Sequence, residues 1–233
     1  MIGTDAHDLV RPLRPQEFGG TRPTSIADAL VEPAWPGHRV LAAVGDGRGT
    51  IWVDGETLDG HQPLAGALER ATRGVVGAGA IFDGYLTKQI ASEGVGVHTW
   101  TPDYPTVGGQ MSRLLIGGRR DRIHELEKRR EAEAAELRFD DDDVVNLVVV
   151  DVLWLDGQWL LDVPLLERKR ILESILTPSQ LVRASPYVRE PIGTWIGSWR
   201  AQGFRAMTFK AANSRYHPGE TANDWTRADM PRR

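Results

Sequence analysis

Few side chains in this chain can act as amine or thiol nucleophiles. Its four lysines are Lys88, Lys128, Lys169 and Lys210, and it contains no cysteine. Thiolate nucleophiles, thiolate zinc sites and disulfides are therefore excluded. No lysine follows a glycine, so there is no Gly-Lys-Ser/Thr loop to cradle a phosphate. Val76 to Phe82 lacks the glycine spacing of a dinucleotide fingerprint. The six histidines show no metal-ligand spacing. No Gly-x-Ser-x-Gly elbow is present. The common nucleotide-binding, metal and serine-hydrolase signatures are thus absent. What remains is the octet Glu32-Pro33-Ala34-Trp35-Pro36-Gly37-His38-Arg39, together with Asp83, Asp151 and Lys210 in apolar runs.

With 233 residues the chain can bury one sizeable core. A net charge of −4 gives no overall field toward nucleic acid. From Ser185 to Arg233, however, eight Arg or Lys face four Asp or Glu, so the C-terminal part is locally basic. Met1 to Gly20 has charged residues and no apolar h-region, unlike a signal peptide. The longest apolar run is too short to span a bilayer. With the absence of cysteine, this predicts a cytoplasmic protein without a membrane partner.

The elements that must position the candidate residues follow from periodicity and turn chemistry. Residues 1–29, rich in Pro, Gly and Asp, read as an extended or loosely attached arm. Val40 to Val44 and Thr50 to Val53 flank Gly45-Asp46-Gly47-Arg48-Gly49 and predict a β-hairpin. Pro63 to Thr72 predicts a short helix with Pro in its first turn. Val75 to Phe82 reads as a buried strand that turns at Asp83-Gly84. Arg119 to Arg138 is dense in Arg, Glu and Ala and predicts a surface helix; Asp140 to Asp143 reads as a solvated loop. Leu147 to Leu155 is apolar on both faces, the mark of a central strand, and Asp156-Gly157 turns it into Gln158 to Leu161. Asp162 is placed to cap a helix over Pro164 to Leu176, with Leu165, Leu172 and Leu176 on one face. Leu181 to Ala184 predicts a strand. Pro191 to Gln202 predicts a helix closed by Gly203, with Ile192, Trp195, Ile196 and Trp199 inward. Arg205 to Lys210 predicts another strand.

Four stretches, in order, resemble the motifs of ATP-dependent DNA ligases. The octet at 32–39 is similar to their Glu-Pro-Lys-Trp-Asp-Gly-Tyr-Arg. Ile81-Phe82-Asp83-Gly84-Tyr85-Leu86 resembles Leu-Asp-Gly-Glu-Leu. Val148 to Gly157, then Leu160 to Lys169, resembles Phe-Asp-Leu-Leu-Tyr-Leu-Asp-Gly followed by Leu-Pro-Leu-Leu-Glu-Arg-Arg. Gly203 to Lys210 resembles Gly-Leu-Glu-Gly-Val-Val-Ala-Lys, with Ser214 to Gly219 and Asp224-Trp225 following as they do in the family. The resemblance runs over roughly residues 30 to 229. It implies an α+β fold: residues 30–233 as a ligase-type adenylation domain of twisted, mostly antiparallel sheets flanked by helices. Residues 119–143 are expected to form a charged helical excursion and acidic loop. No C-terminal oligonucleotide-binding barrel is expected in the residues that remain.

Such ligases attack the α-phosphorus of ATP with a lysine amine, and cations steady the leaving pyrophosphate. The resemblance therefore implies ATP and Mg as ligands and DNA or a DNA-repair protein as partner; the residues themselves assign no cofactor and no metal site. The nucleophile position is held by Ala34, so no catalytic residue is assigned. Pro36 replaces the aspartate of the octet, Tyr85 the glutamate of the second motif, and Arg205 that of the fourth. Leu147 stands where a base-stacking aromatic is usual. Of the family's last lysine pair, Arg227 keeps a cation and Asp229 does not. A residual nucleotide site would comprise Glu32, Arg39, Asp83, Lys210 and Arg227, with Arg39 and Lys210 on phosphate and Glu32 near adenine. The plainer reading makes the glycines turns and Trp225 core. Three functions stay open: a non-catalytic ligase homologue acting as a binding or scaffolding module in DNA repair; an active nucleotidyltransferase using rewired or partner-supplied groups; and an interaction protein using the 119–138 helix.

Overall fold

The computed structural model describes residues 5–58, 62–89 and 145–231. They form an α+β unit of two sheets. Helix α1 is Ala6–Val10 and strand β1 is Glu17–Gly19. Strands β2 (Ala29–Pro33), β3 (His38–Gly45), β4 (Arg48–Val53) and β5 (Glu56–Thr57) precede helix α2 (Gln62–Thr72). Strand β6 (Ala80–Thr87) precedes the undescribed residues 90–144, and β7 (Asn146–Leu155) follows them. The rest are β8 (Gln158–Trp159), helix α3 (Leu165–Ile175), β9 (Val182–Ala184), helix α4 (Gly193–Ala201), β10 (Ala206–Ala211) and β11 (Thr221–Asp229). The predicted 119–138 helix and 140–143 loop lie outside the described residues.

The larger sheet runs β5-β4-β3-β6-β7-β8, with β9 parallel to β7 and the other pairs antiparallel. The smaller runs β1-β11-β10-β2, antiparallel except for the β1–β11 pair. Both predicted hairpins form. At Asp46-Gly47 and Asp156-Gly157 both turn residues have positive φ, as a two-residue hairpin turn requires. Strand β7 is the expected central strand, buried from Asn146 to Trp154.

One apolar cluster joins Val40, Phe82, Leu147 and Val149 of the large sheet to Leu64 and Leu68 of α2 and Leu172 of α3. A second joins Leu30 and Trp225 of the small sheet to Leu41, Ile81 and Leu153 of the large one. A third gathers Val31, Met207 and Phe209 with Trp199 and Phe204.

Several expectations are corrected. Residues 6–10 are helical rather than extended, with Ala6 and Val10 buried. Strand β6 starts at Ala80, not Val75, because the N–H groups of Gly77, Ala78 and Gly79 all donate to Asp156 Oδ1 (3.0, 2.7 and 3.1 Å). It also runs through Asp83-Gly84 instead of turning there. The reason lies in the neighbours: a Cβ on Gly84 would stand 2.7 Å from the Val148 carbonyl oxygen, so the glycine serves close strand approach. Asp162 does not cap α3. The N–H groups of Leu165 and Leu166 at its start donate instead to the carbonyls of Ser214 and Ala212. In α4 the inward face is as expected: Trp199 is fully buried, and Ile192, Trp195 and Ile196, half-buried, pack against the third cluster.

Candidate functional site

The site is assembled by strand register. Glu32 stands opposite Thr208, and Lys210 opposite Leu30. On the next strand, Trp225 faces Lys210 and Arg227 faces Thr208. Directly opposed residues share a face, so Glu32, Thr208, Lys210, Trp225 and Arg227 line one side of the small sheet. In the large sheet Leu41 opposes Asp83, which opposes Asp151. Two carboxylates side by side repel, so each needs a cation.

Each has one. Arg39 grips Asp83 with both prongs, Nε to Oδ1 at 3.0 Å and Nη2 to Oδ2 at 2.6 Å. Tyr216 Oη donates to the same carboxylate at 2.8 Å. Arg168 of α3 grips Asp151 with two bonds of 2.9 Å and donates to the carbonyls of Val163 and Ser214. Glu32 is held between two lysines: Lys169 Nζ lies 2.5 Å from Oε1, and Lys210 Nζ 3.4 Å from Oε2. The Lys210 ammonium also sits 4.6 Å from the centre of the Trp225 ring.

Burial and charge set the protonation states. Burial alone would raise the Glu32 carboxyl; the charges of Lys169 and Lys210 outweigh it and hold the group below its usual range. For Lys210, burial dominates and pulls the amine down to about 8, against the attraction of Glu32 and with the repulsion of Lys169 and Arg39. Burial would lower the Arg39 guanidinium, but Asp83 beside it holds it well above the ordinary value. The Tyr216 hydroxyl is pushed well up by burial and by Asp83, so it stays a donor.

The five sequence-chosen residues fare differently. Glu32, Asp83 and Lys210 are 1%, 0% and 2% exposed. They converge with Arg39 on one buried polar cluster, while Arg227 lies exposed on the same sheet face. Ala34 follows β2, is itself buried, and its N–H donates to the Ala206 carbonyl at 3.0 Å. Leu147 packs with Val149 and Leu172 in the cluster under α2 and α3, where it serves as core. Sequence reasoning missed Arg168, Lys169 and Tyr216 as members of the cluster. A signal for the first two existed: Leu165, Arg168, Lys169 and Leu172 fall at i, i+3, i+4 and i+7, so both cations lie on the helix face that packs inward.

Gly37, which ends the turn before β3, explains why one octet residue is kept. Its φ is +118° and a Cβ there would lie 1.9 Å from the Leu86 carbonyl oxygen. That position needs glycine for packing alone.

Residues 118–228 match the family model of the ATP dependent DNA ligase domain. The described residues have the fold of a DNA-ligase adenylation domain. Among solved structures the chain is similar to the ligase domain of LigD from M. tuberculosis, at 19% identity and a TM-score of 0.61. It is also similar to a mycobacterial DNA ligase D complexed with ATP and MES, at 18% identity and a TM-score of 0.62. In both cases 94% of this chain covers 60% of the other, so the chain spans about three fifths of those ligase structures. No protein with a curated description matches it by sequence.

Against that fold, the residues present do not fit a catalytic magnesium. Asp83 and Asp151 are buried and each is held by an arginine with two bonds, and no cluster of three acidic or histidine ligands occurs among the described residues. Asp83 and Asp151 each accept three hydrogen bonds, so each keeps about one of its four acceptor sites and has its charge already neutralised by arginine. The triphosphate fits only in part: Arg227 is exposed, whereas Arg39 and Lys210 are turned into the cluster. No described helix is long and apolar enough to cross a membrane.

Proposed function

We propose that this ligase-like adenylation domain does not form a covalent AMP intermediate and works as a binding or scaffolding module in DNA repair, with DNA or a repair protein as its partner. One observation carries the reading: Ala34, just after the strand that carries Glu32, offers a methyl group at the position of the family's nucleophile. A phosphoramidate needs an amine nitrogen, and a methyl group provides none. Tyr85 and Arg205 stand where the family has glutamates, so two further carboxylates are missing, which supports loss of the metal-dependent step. The test is incubation with labelled ATP and magnesium. No acid-labile AMP adduct is expected on the purified chain; a stoichiometric adduct would overturn the reading.

A second reading, an active nucleotidyltransferase, draws on Lys210, whose amine is pulled down to about 8 and so is partly neutral near neutral pH. It requires that any adduct map to Lys210 and vanish in Lys210→Ala. An adduct that persists in that variant would exclude Lys210 as the acceptor.

A further inference from the structure

The candidate phosphate contacts are covered by one small element, β1. The Phe18 ring lies 5.3 Å from the Arg39 guanidinium carbon and 5.9 Å from Lys210 Nζ, and 6.0 Å from the Trp225 ring. One aromatic side chain thus touches both cations that would meet a triphosphate. Arg39 retains 14% side-chain exposure and Lys210 2%.

The other walls of the cluster are hard to move. Strands β2, β3, β6 and β10 each pair along runs of five or more residues, and α3 is pinned by Arg168. Strand β1 differs. It has three residues, pairs only with β11 at the sheet edge, and carries an irregularity between Phe18 and Gly19. Besides its ladder to β11, its anchors are the Gln16 N–H to Tyr216 Oη at 3.1 Å, the Glu17 N–H to the Glu220 carbonyl at 2.8 Å, the His217 N–H to the Gln16 side chain, and the Thr226 hydroxyl to the Gly19 carbonyl at 3.3 Å. Short edge segments with few buried contacts open at the low end of a protein's local stabilities.

We infer that β1 is a built-in plug: Phe18 occupies the cleft over Arg39 and Lys210, and a polyphosphate ligand reaches those cations only after β1 peels from β11. The inference rests on the reading of Arg39 and Lys210 as phosphate contacts, and the experiment separates the two.

The unaltered chain and Phe18→Ala are each treated with an amine-acetylating reagent, and acetylation is followed at Lys210 and Lys169 by mass spectrometry. Lys169 is equally buried and contacts Glu32 and Tyr187, so it reports general loosening. The plug predicts at least a tenfold faster reaction at Lys210 in Phe18→Ala with Lys169 unchanged. Equal rates at Lys210 in the two proteins, or a parallel rise at both lysines, would overturn it. Inorganic tripolyphosphate is then titrated into both proteins. Binding at least tenfold tighter in Phe18→Ala supports plug and phosphate contacts together. A Lys210 that becomes reactive without any tripolyphosphate binding upholds the plug and rejects the phosphate reading. Weaker binding in Phe18→Ala overturns the plug, because the ring would then belong to the binding surface.

Discussion

A carboxylate at 1% exposure between two ammonium groups is stable only as a unit. Removing one charge from such a group leaves the others desolvated without compensation, which is why buried pairs are costly to break and weak evidence of net stabilisation. Around Glu32, Asp83 and Asp151 stand four cations, Arg39, Arg168, Lys169 and Lys210, one more than the carboxylates can neutralise. Burial first, and then the neighbouring cations Lys169 and Arg39, bring the Lys210 amine from an ordinary 10.5 down to about 8. The linkage has a definite sign. Below pH 8 both folded and unfolded chains carry the proton, and the fold bears the full penalty of a buried ammonium. Between pH 8 and 10.5 the folded chain sheds the proton while the unfolded chain keeps it, so this group makes stability rise with pH. The shift corresponds to on the order of 3 kcal/mol. Lys210→Met removes the group and leaves Glu32 its closer partner, Lys169. Urea unfolding across pH 7 to 10.5 should show the stability of the unaltered chain relative to Lys210→Met rising with pH; a relative stability independent of pH would refute the assignment.

At the scale of elements, the sequence was readable wherever local chemistry and tertiary packing agree. The hairpin at Asp46-Gly47, the buried run of β7 and the helix over Leu165–Ile175 follow from turn residues, β-branched content and apolar spacing, and all three form. It was unreadable where a distant group takes over. Asp83-Gly84 has turn composition, yet Arg39 and Tyr216 hold the aspartate in a strand and the Val148 carbonyl fills the space beside the glycine. Asp162 has capping composition, yet residues 212–214 satisfy the helix start. The candidate site shows the same division. Glu32, Asp83 and Lys210 were found by motif, whereas Phe18 lies almost two hundred residues from Lys210 in sequence and meets it only through β1–β11 pairing. Gly37 makes the point testable. Its φ of +118° and the backbone oxygen 1.9 Å from the missing Cβ leave no room for a side chain, and backbone cannot swing aside as a side chain can. Gly37→Ala should therefore lose several kcal/mol, on the order of 3 to 4, in urea unfolding, among the larger effects of a single substitution. A loss below about 1 kcal/mol would show that β3 and β6 can part without penalty.

For the whole molecule, the question is whether this domain lacks one atom or a working site. A ligase-type site requires a nucleophile, carboxylates free to hold a metal, and cations facing a triphosphate. Here the changes spread over both sheets: Ala34 after β2, Tyr85 on β6 and Arg205 before β10. Sites that must act together fail together, so repairing one member should not restore the others. Ala34→Lys tests this directly. The new ammonium would enter a position 8% exposed, beside a cluster that already holds one cation too many, so the variant should lose a few kcal/mol of stability, about 2 to 4. With labelled ATP and magnesium it should form no more AMP adduct than the unaltered chain, because the two glutamates replaced by Tyr85 and Arg205 are still missing. If Ala34→Lys instead charges stoichiometrically with AMP, those two glutamates are dispensable. The closed cluster would then be a resting arrangement of a catalytic site short of a single amine.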